Sequence, residues 1–374
     1  MRTLIVGNGN IAKALVALLD SLGERPPLSF CDSRDGERGE DIIAARGSEF
    51  DAVVNLSSAP TGPLIDLCER HRLAYMDASF EWQGEGRYSV ARYAAELQDE
   101  LRPRAEIPVL HGFGMNPGLV EAIAALHAPA RAHLAIEFDF DTAQSRTGAS
   151  ALWSTWNPAI YFGEAFLVPG AVSTRDEFLA PVPEALHHRV RLTAGGRAFD
   201  FSTVIHDETA YMVAENPDCR GAVFLYSAPD GVRRHFHSHP DLSPAELAEI
   251  PVRHDITGEE CVGIAFLDGT ARVTCAMNRA DHAKTFARLG CNGTCWQTAC
   301  GVYAGLKLLA VARPGESLTV SAAMRWAPYR PVILDALDRV GFEIETRDDF
   351  IAADELRATV GPLFGERIGK ELLP

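Results

Sequence analysis

Two sets of residues in this chain have types and spacings that carry chemistry. The first is Gly7-Asn8-Gly9-Asn10-Ile11-Ala12. Gly7 permits a tight turn, Gly9 lets the backbone approach a pyrophosphate, and Ala12 keeps a helix close to a strand. A helix starting there offers free amides and a positive dipole end to phosphate oxygens. Asp32 follows a second short strand pattern, Leu28–Cys31, at the distance (about 20–25 residues) where an acid receives ribose hydroxyls. The pattern predicts a dinucleotide site that includes Gly7, Gly9, Asn10, Ile11 and Asp32. NAD is favoured over NADP, because a carboxylate repels a 2′-phosphate; Arg34 is the feature against that preference.

The second set is acidic: Asp139, Asp141, Glu164 and Glu208, with Trp156 among them in sequence. A protonated amine seeks a carboxylate or an aromatic face, and a desolvated cation over an indole gains about 2 kcal/mol. Removing hydride from an amine leaves an iminium, which the same groups would stabilise. The reacting amine must first lose a proton to a tuned base. Plainer readings stand beside these. Trp156 lies in an aromatic-rich segment with Trp153, Tyr161 and Phe162, as core residues do. Alternating acids also make a solvated strand face, and Glu164 beside Gly163 fits a loop. His235, His237 and His239 alternate on an expected strand, Val232–Ser238, a spacing open to a metal, to a solvent face or to an acidic pocket. Cys291, Cys295 and Cys300 lack CxxC pairs and a following ligand histidine, so they read as small buried thiols. No metal is expected.

The elements that must position these groups fall into two patterns. Residues 2–6, Leu28–Cys31, Asp51–Leu56, Leu73–Met76 and Pro108–Leu110 read as strands. They alternate with helical stretches from Ile11, over Pro63–Arg70 and over Val90–Leu101. Such alternation predicts a parallel, doubly wound α/β sheet of the Rossmann kind. From His133 the pattern turns to strands: His133–Asp141, Arg189–Leu192, Phe199–Ile205, Ala222–Ser227 and Val232–Ser238. These predict a second, α+β domain on an open, mostly antiparallel sheet. The expected division is a dinucleotide-binding domain over 1–130, to which 294–325 returns through a helix near Thr294–Ala310, and a substrate domain over 131–293. Residues 326–374 remain unassigned, with Val332–Val340 helical and Phe342–Thr346 strand-like.

The net charge is −16 over 374 residues, which argues against nucleic acid and suits cationic small molecules. No apolar run reaches the roughly 18–20 residues of a membrane span. The chain enters a strand pattern at once, without a leader-like segment, so a cytoplasmic enzyme is expected. A symmetric homodimer is the common state for two-domain enzymes of this build.

A second glycine turn, His111-Gly112-Phe113-Gly114-Met115-Asn116-Pro117-Gly118, precedes a helical pattern to about Leu126, with Pro117 suited to the first turn. Here the chain resembles the saccharopine dehydrogenase-like superfamily, and within it the homospermidine synthases. The resemblance runs through Val53–Trp82, Asn116-Pro117-Gly118, Asp139-Phe140-Asp141-Thr142, Ser154-Thr155-Trp156 with Glu164, Val204–Glu208 read as a strand, and Asn292–Gly305. These segments keep their order from about residue 2 to 310. At Tyr226-Ser227-Ala228-Pro229 the chain departs from that family's aromatic-His-Pro stretch.

The resemblance implies an NAD-dependent enzyme that oxidises a diamine (putrescine) to an imine, transfers it to a second amine with loss of ammonia, and reduces the product with the retained NADH. By motif, Trp156 would be the cation platform, Glu164 and Asp139 would hold amines, and Asn116 would line the nicotinamide pocket. Glu208, His206 and His237 complete the expected catalytic set. Ser57, Asp77, Asn116 and Pro117 join the cofactor set. The alternative enzyme is a saccharopine- or carboxyspermidine-type dehydrogenase joining an amine to a carbonyl compound. It requires a cationic anchor such as Arg146, Arg233 or Arg234. An alternative of another class is a non-catalytic NAD sensor.

Overall fold

The structure, a computed structural model, describes residues 1–81, 89–146, 152–270 and 272–368. Trp82 and residues 369–374 lie outside the described residues.

The chain starts with strand β1 (Thr3–Val6), apolar but for Thr3 and buried at every position. Helix α1 (Asn10–Ser21) turns Ala12, Ala14, Leu15, Leu18 and Leu19 inward, the spacing of one helix face. Then follow β2 (Leu28–Cys31), α2 (Gly39–Arg46), β3 (Ala52–Asn55), α3 (Thr61–His71), β4 (Ala74–Asp77), α4 (Val90–Glu100) and β5 (Val109–Leu110). All pairings among these strands are parallel, in the order β2-β1-β3-β4-β5. The order reverses between β1 and β3, and the crevice beyond their C-terminal ends is where open α/β sheets bind ligands. Gly7 sits at this point with φ +102°, and a Cβ there would stand 2.6 Å from the Leu56 carbonyl oxygen. The turn therefore requires glycine.

Helix α5 (Leu119–His127) leads into β6 (His133–Asp141), the centre of a second sheet. The chain continues through β7 (Gln144–Ser145), α6 (Pro158–Phe162), β8 (Ala171–Thr174), β9 (Ala180–Pro181), β10 (Val190–Ala194), β11 (Arg197–Val204), α7 (Asp207–Glu215), β12 (Cys219–Ser227), α8 (Asp230–Ser238) and α9 (Pro244–Ala248). It then forms β13 (Ile256–Thr257), β14 (Glu259–Asp268), β15 (Val273–Asp281), α10 (His282–Leu289) and α11 (Gly293–Leu309). The main path of the second sheet is β10-β11-β12-β6-β14-β15 and then β17 (Glu345–Arg347), antiparallel except at β12–β6. This last strand follows β16 (Ser317–Leu318), α12 (Val320–Arg325) and α13 (Arg330–Val340), and α14 (Ala353–Phe364) comes after it. This is the two-part α/β architecture that the sequence pattern predicts.

Two details of packing position the site. Leu134, Ile136, Phe138 and Phe140 of β6 join one core with Leu356, Val360 and Phe364 of α14. The alternate residues Glu137, Asp139 and Asp141 therefore face the other way, because side chains alternate along a strand. Helix α11, buried along most of its length, packs against α1 and α13. A Cβ on Gly301 would overlap the Gly114 carbonyl, so this helix touches the second glycine turn only because residue 301 has no side chain. After α11, β16 pairs in parallel with β5 and becomes the sixth strand of the first sheet.

Several local expectations are corrected. Val232–Ser238 is not a strand but part of α8, in which Val232 and Phe236 are the buried pair at helical spacing. Asp207 and Glu208 do not extend a strand; β11 ends at Val204 and both acids begin α7. Pro117 precedes the helix instead of starting it, since Gly118 is the N-cap of α5 and the Asn116–Pro117 bond is cis. The β14–β15 hairpin was not anticipated. The strand-like stretch Phe342–Thr346 shortens and shifts to Glu345–Arg347. Among the described residues no helix is long and apolar enough to cross a membrane. All eight cysteines, including Cys291, Cys295 and Cys300, are free and buried.

Candidate active site

At the crevice between β1 and β3, the N-terminus of α1 is open. Its N-cap, Gly9, makes no side-chain capping bond, and a Cβ on Gly9 would meet nothing within 4 Å. Asn10 and Ile11 follow in the first turn; Ile11 packs against the core, which leaves its backbone amide as the group it can offer a ligand. Asn10 Oδ1 lies 3.4 Å from His254 Nε2. Asp32 accepts from the Asn8 amide at 2.9 Å and carries Arg34. Ser57, just beyond β3, donates to Asn55 Oδ1 at 2.7 Å. An uncapped helix start and space at the sheet's reversal point are what a dinucleotide pyrophosphate needs, so these residues fit one.

Asp77, at the end of β4, is almost fully buried, and its Oδ1 accepts from the Gly112 amide at 2.7 Å. Its role visible here is to hold the second glycine turn. Burial, with Asp207 adding, pushes its carboxyl up to about 8. From that turn Asn116 donates through Nδ2 to Asp139 Oδ2 at 2.8 Å, tying the first domain's edge to β6. Pro117 is buried within the turn.

Asp139 belongs to a row of buried acids. Glu137, Asp139 and Asp141 line one face of β6, and β14 sets Glu260 opposite Asp141. Glu208, from the first turn of α7, is in contact with Glu137. Among the described residues, no donor outside the row makes a hydrogen bond to either oxygen of Glu137, Asp139 Oδ1, Asp141 Oδ2, Glu208 Oε2 or Glu260 Oε1. Crowding buried carboxylates favours their neutral forms. Burial raises Asp139 to about 6. Burial, and then the neighbouring acids, raise Glu137 and Glu260 well above the usual range. Asp141 is the exception: burial works against its charge, but His282 holds it below the ordinary value.

His206 lies at the other end of the row. Its Nδ1 is 2.8 Å from Glu208 and its Nε2 is 3.5 Å from Glu164. Burial lowers its affinity for a proton, yet Glu208 and Glu164 raise it well above the ordinary value. Glu164 lies in the one-turn π-helical segment Gly163–Leu167 and keeps partial access to solvent. Trp156 is half-buried and donates from Nε1 to Tyr226 Oη at 2.7 Å, with the two rings edge to face at 6.0 Å. Tyr226 is raised by burial and then by Glu260, Asp139 and Asp141, so the aromatic pair borders the acid row. Asn292 caps α11 and donates to the Thr155 carbonyl at 2.6 Å, which fixes the residue before Trp156.

Asp141, Glu260 and His282 also place one ligand atom each within 4.8 Å of one another. The imidazole argues against a metal there. The Gly293 amide donates to His282 Nδ1 at 3.0 Å, so that nitrogen carries no proton. The ring proton is therefore on Nε2, which points at Asp141 Oδ1 at 3.1 Å. A metal would need that nitrogen bare. Glu260 in turn accepts from Thr294 Oγ1 at 2.5 Å. The trio reads as a hydrogen-bonded support running from the start of α11 to the acid row.

The structure thus brings together Asn116, Asp139, Glu164, His206 and Glu208, and sets Trp156 beside them. It does not bring in His237. That side chain is exposed on α8, donates from Nδ1 to the Arg233 carbonyl, and its ring packs near Phe166 and His188. His235 and His239 stack at 4.3 Å at helical spacing, so the three histidines share no strand face. Arg146 pairs with Asp255, Arg233 with Asp230 and Asp200, and Arg234 with Asp230. Glu137, Glu260, His282 and Tyr226 were not anticipated as site residues. Glu137 had a signal, since it lies two residues before Asp139 on one strand; Glu260 had none without knowledge of the pairing.

No protein-family model and no curated protein sequence matches the chain. Among solved structures, it is similar to a homospermidine synthase from Legionella pneumophila determined in complex with NAD. The TM-score is 0.68 at 14% identity, over 93% of this chain and 91% of that one. It is also similar to an apo saccharopine dehydrogenase (L-Glu forming) from Saccharomyces cerevisiae. There the TM-score is 0.55 at 12% identity, over 92% and 99% of the two chains. The likeness is one of fold across almost the whole length.

Proposed function

We propose that this protein is a NAD-dependent oxidoreductase that works on a C–N bond of a cationic amine, in the manner of a homospermidine synthase. The observation that carries this reading is the row of buried acids beside Trp156. Among the described residues, six of its oxygens have no hydrogen-bond donor from outside the row, and its ion-pair partners are only His206 and His282. Buried carboxylates without cations are costly, and a protonated amine would meet that need. The NAD-complexed structure of the similar homospermidine synthase and the open start of α1 support the cofactor.

When bound, the nicotinamide supplies a place to leave and recover a hydride. The amine carbon gives up that hydride and its nitrogen a proton, leaving an imine. A second amine adds to the imine carbon and ammonia departs. Hydride and proton then saturate the new C=N bond, so two diamines become one triamine and ammonia with no net redox change. In this reading His206, set between Glu164 and Glu208, holds and returns the proton at the reacting nitrogen. Trp156 shields the cationic carbon, Asp139 with Asn116 fixes the bound amine, and Glu260 and Asp141 balance the remaining charge. Residues 1–130 with 294–325 form the cofactor unit and 131–293 the substrate unit.

A reductive joining of amine to keto acid would need a cation to hold the carboxylate. The pairing of Arg146, Arg233 and Arg234 with acids outside the row favours the diamine. The test is incubation with NAD and putrescine. Homospermidine and ammonia, with no net NADH, are expected. Net NADH with free aldehyde would mean a simple dehydrogenase, and NAD binding without turnover of any amine would mean a sensor.

A further inference from the structure

The acid that receives ribose hydroxyls in NAD sites is already saturated in this chain. Asp32 Oδ1 accepts from the Arg34 amide at 2.9 Å and from Arg34 Nε at 2.8 Å. Asp32 Oδ2 accepts from the Asn8 amide at 2.9 Å and from Arg34 Nη2 at 2.6 Å. A carboxylate offers about four lone-pair sites, and four donors occupy them. A ribose diol can reach Asp32 only if the guanidinium moves away. The pair is also electrically neutral, which removes the repulsion that makes a lone acid exclude a 2′-phosphate. Arg34 is held in place by the two-point fork and by a 3.3 Å bond from Nη2 to the Asn8 carbonyl, yet most of its side chain is exposed. Its Nη1 group makes no hydrogen bond among the described residues and stays available to a ligand. Ser33, from the same single turn, is exposed beside it. Asp35 is the acid that still faces Arg34 from its own turn.

We propose that Arg34, locked onto Asp32, makes the ribose end of the dinucleotide site accept a 2′-phosphate, so that the protein takes NADP as well as NAD. With NADP, Nη1 and the Ser33 hydroxyl meet the phosphate while Asp32 keeps the guanidinium oriented. With NAD, the guanidinium swings into solvent and Asp32 receives the hydroxyls. This inference rests on the dinucleotide reading and not on the identity of the amine.

The experiment is calorimetric titration of the full chain with NAD and with NADP, without amine, for the wild type and for Arg34→Ala and Arg34→Lys. The exposed site makes misfolding of either variant a minor concern, and circular dichroism checks it. The wild type should bind the two dinucleotides within about tenfold of each other. R34A should weaken NADP by about 10- to 100-fold, the worth of a charged hydrogen-bonding partner, and should leave NAD unchanged or tighter. R34K should retain most of the NADP affinity, and added salt should weaken NADP more than NAD. A wild type that prefers NAD by more than about a hundredfold, or an R34A variant that shifts both ligands equally, overturns the inference while leaving the dinucleotide reading intact. Failure to bind either dinucleotide overturns both.

Discussion

Replacing Asp77 by asparagine should stabilise the ligand-free protein, and by an amount that grows with pH. The folded carboxyl is raised to about 8, while an unfolded aspartate titrates near 4. Between these values the folded state holds a proton that the unfolded chain releases. The free energy of unfolding then falls by about 1.4 kcal/mol for each pH unit, is flat below about 4, and is flat again above about 8. From pH 5 to pH 8 the loss is on the order of 4 kcal/mol, a large share of the stability of an ordinary domain. Asparagine keeps the carbonyl that receives the Gly112 amide and does not titrate. Titrating groups that do not interact with Asp77 affect both proteins and cancel in the difference; Asp207, which does interact, contributes to the gap. Urea unfolding of wild type and D77N at pH 5, 6, 7 and 8, at one ionic strength, measures the gap directly. It should widen steadily in favour of D77N across that range. A gap that stays constant, or a wild type that gains on the variant as pH rises, would refute the argument that Asp77 is buried as the acid.

Three further outcomes are expected. Glu260→Gln replaces a carboxyl kept neutral by burial with a neutral isostere, so it should leave the Tm at pH 7 equal or higher while weakening amine binding at least tenfold. Trp156→Ala should raise KM for the amine by roughly 30-fold, the worth of a desolvated cation–π contact, with NAD affinity unchanged; Trp156→Phe should recover part of it. Gly301→Ala forces a methyl against the Gly114 carbonyl and should cost about 1–3 kcal/mol in thermal unfolding, with the second glycine turn displaced.

How much could be read from residues alone depended on where each strand sits. β1, β3 and β4 are short and buried, and are punctuated by turns and amphipathic helices, so their alternation is visible. The β14–β15 hairpin hid because alternate residues serve two different cores: Val262, Ile264 and Phe266 face one, and Cys261, Ala265 and Leu267 the other. Both faces being apolar, no period of two survives in the sequence. Glu260 vanished with that strand, although it completes the acid row. The error over α8 has the opposite origin. Three alternating histidines imitated a strand face, while the true signals were Pro229 before the first turn, Asp230 within it and the Val232–Phe236 pair. Polar residues at period two are weak evidence when the apolar residues keep period four.

Carboxylates packed as closely as those of the acid row cannot all ionise in a closed interior, so their surroundings favour neutral Glu137 and Glu260 and a charged Asp141 against His282. Such an arrangement is tolerable only because rigid backbone holds it: β6 and β14 in register, α11 pressed through Gly301 onto the second turn, and Asn116 reaching across to Asp139. An incoming ammonium group changes the balance, since each positive charge it brings lets a neighbouring acid release its proton. In the proposed reaction, the groups that recognise the cation would be the same groups that move protons.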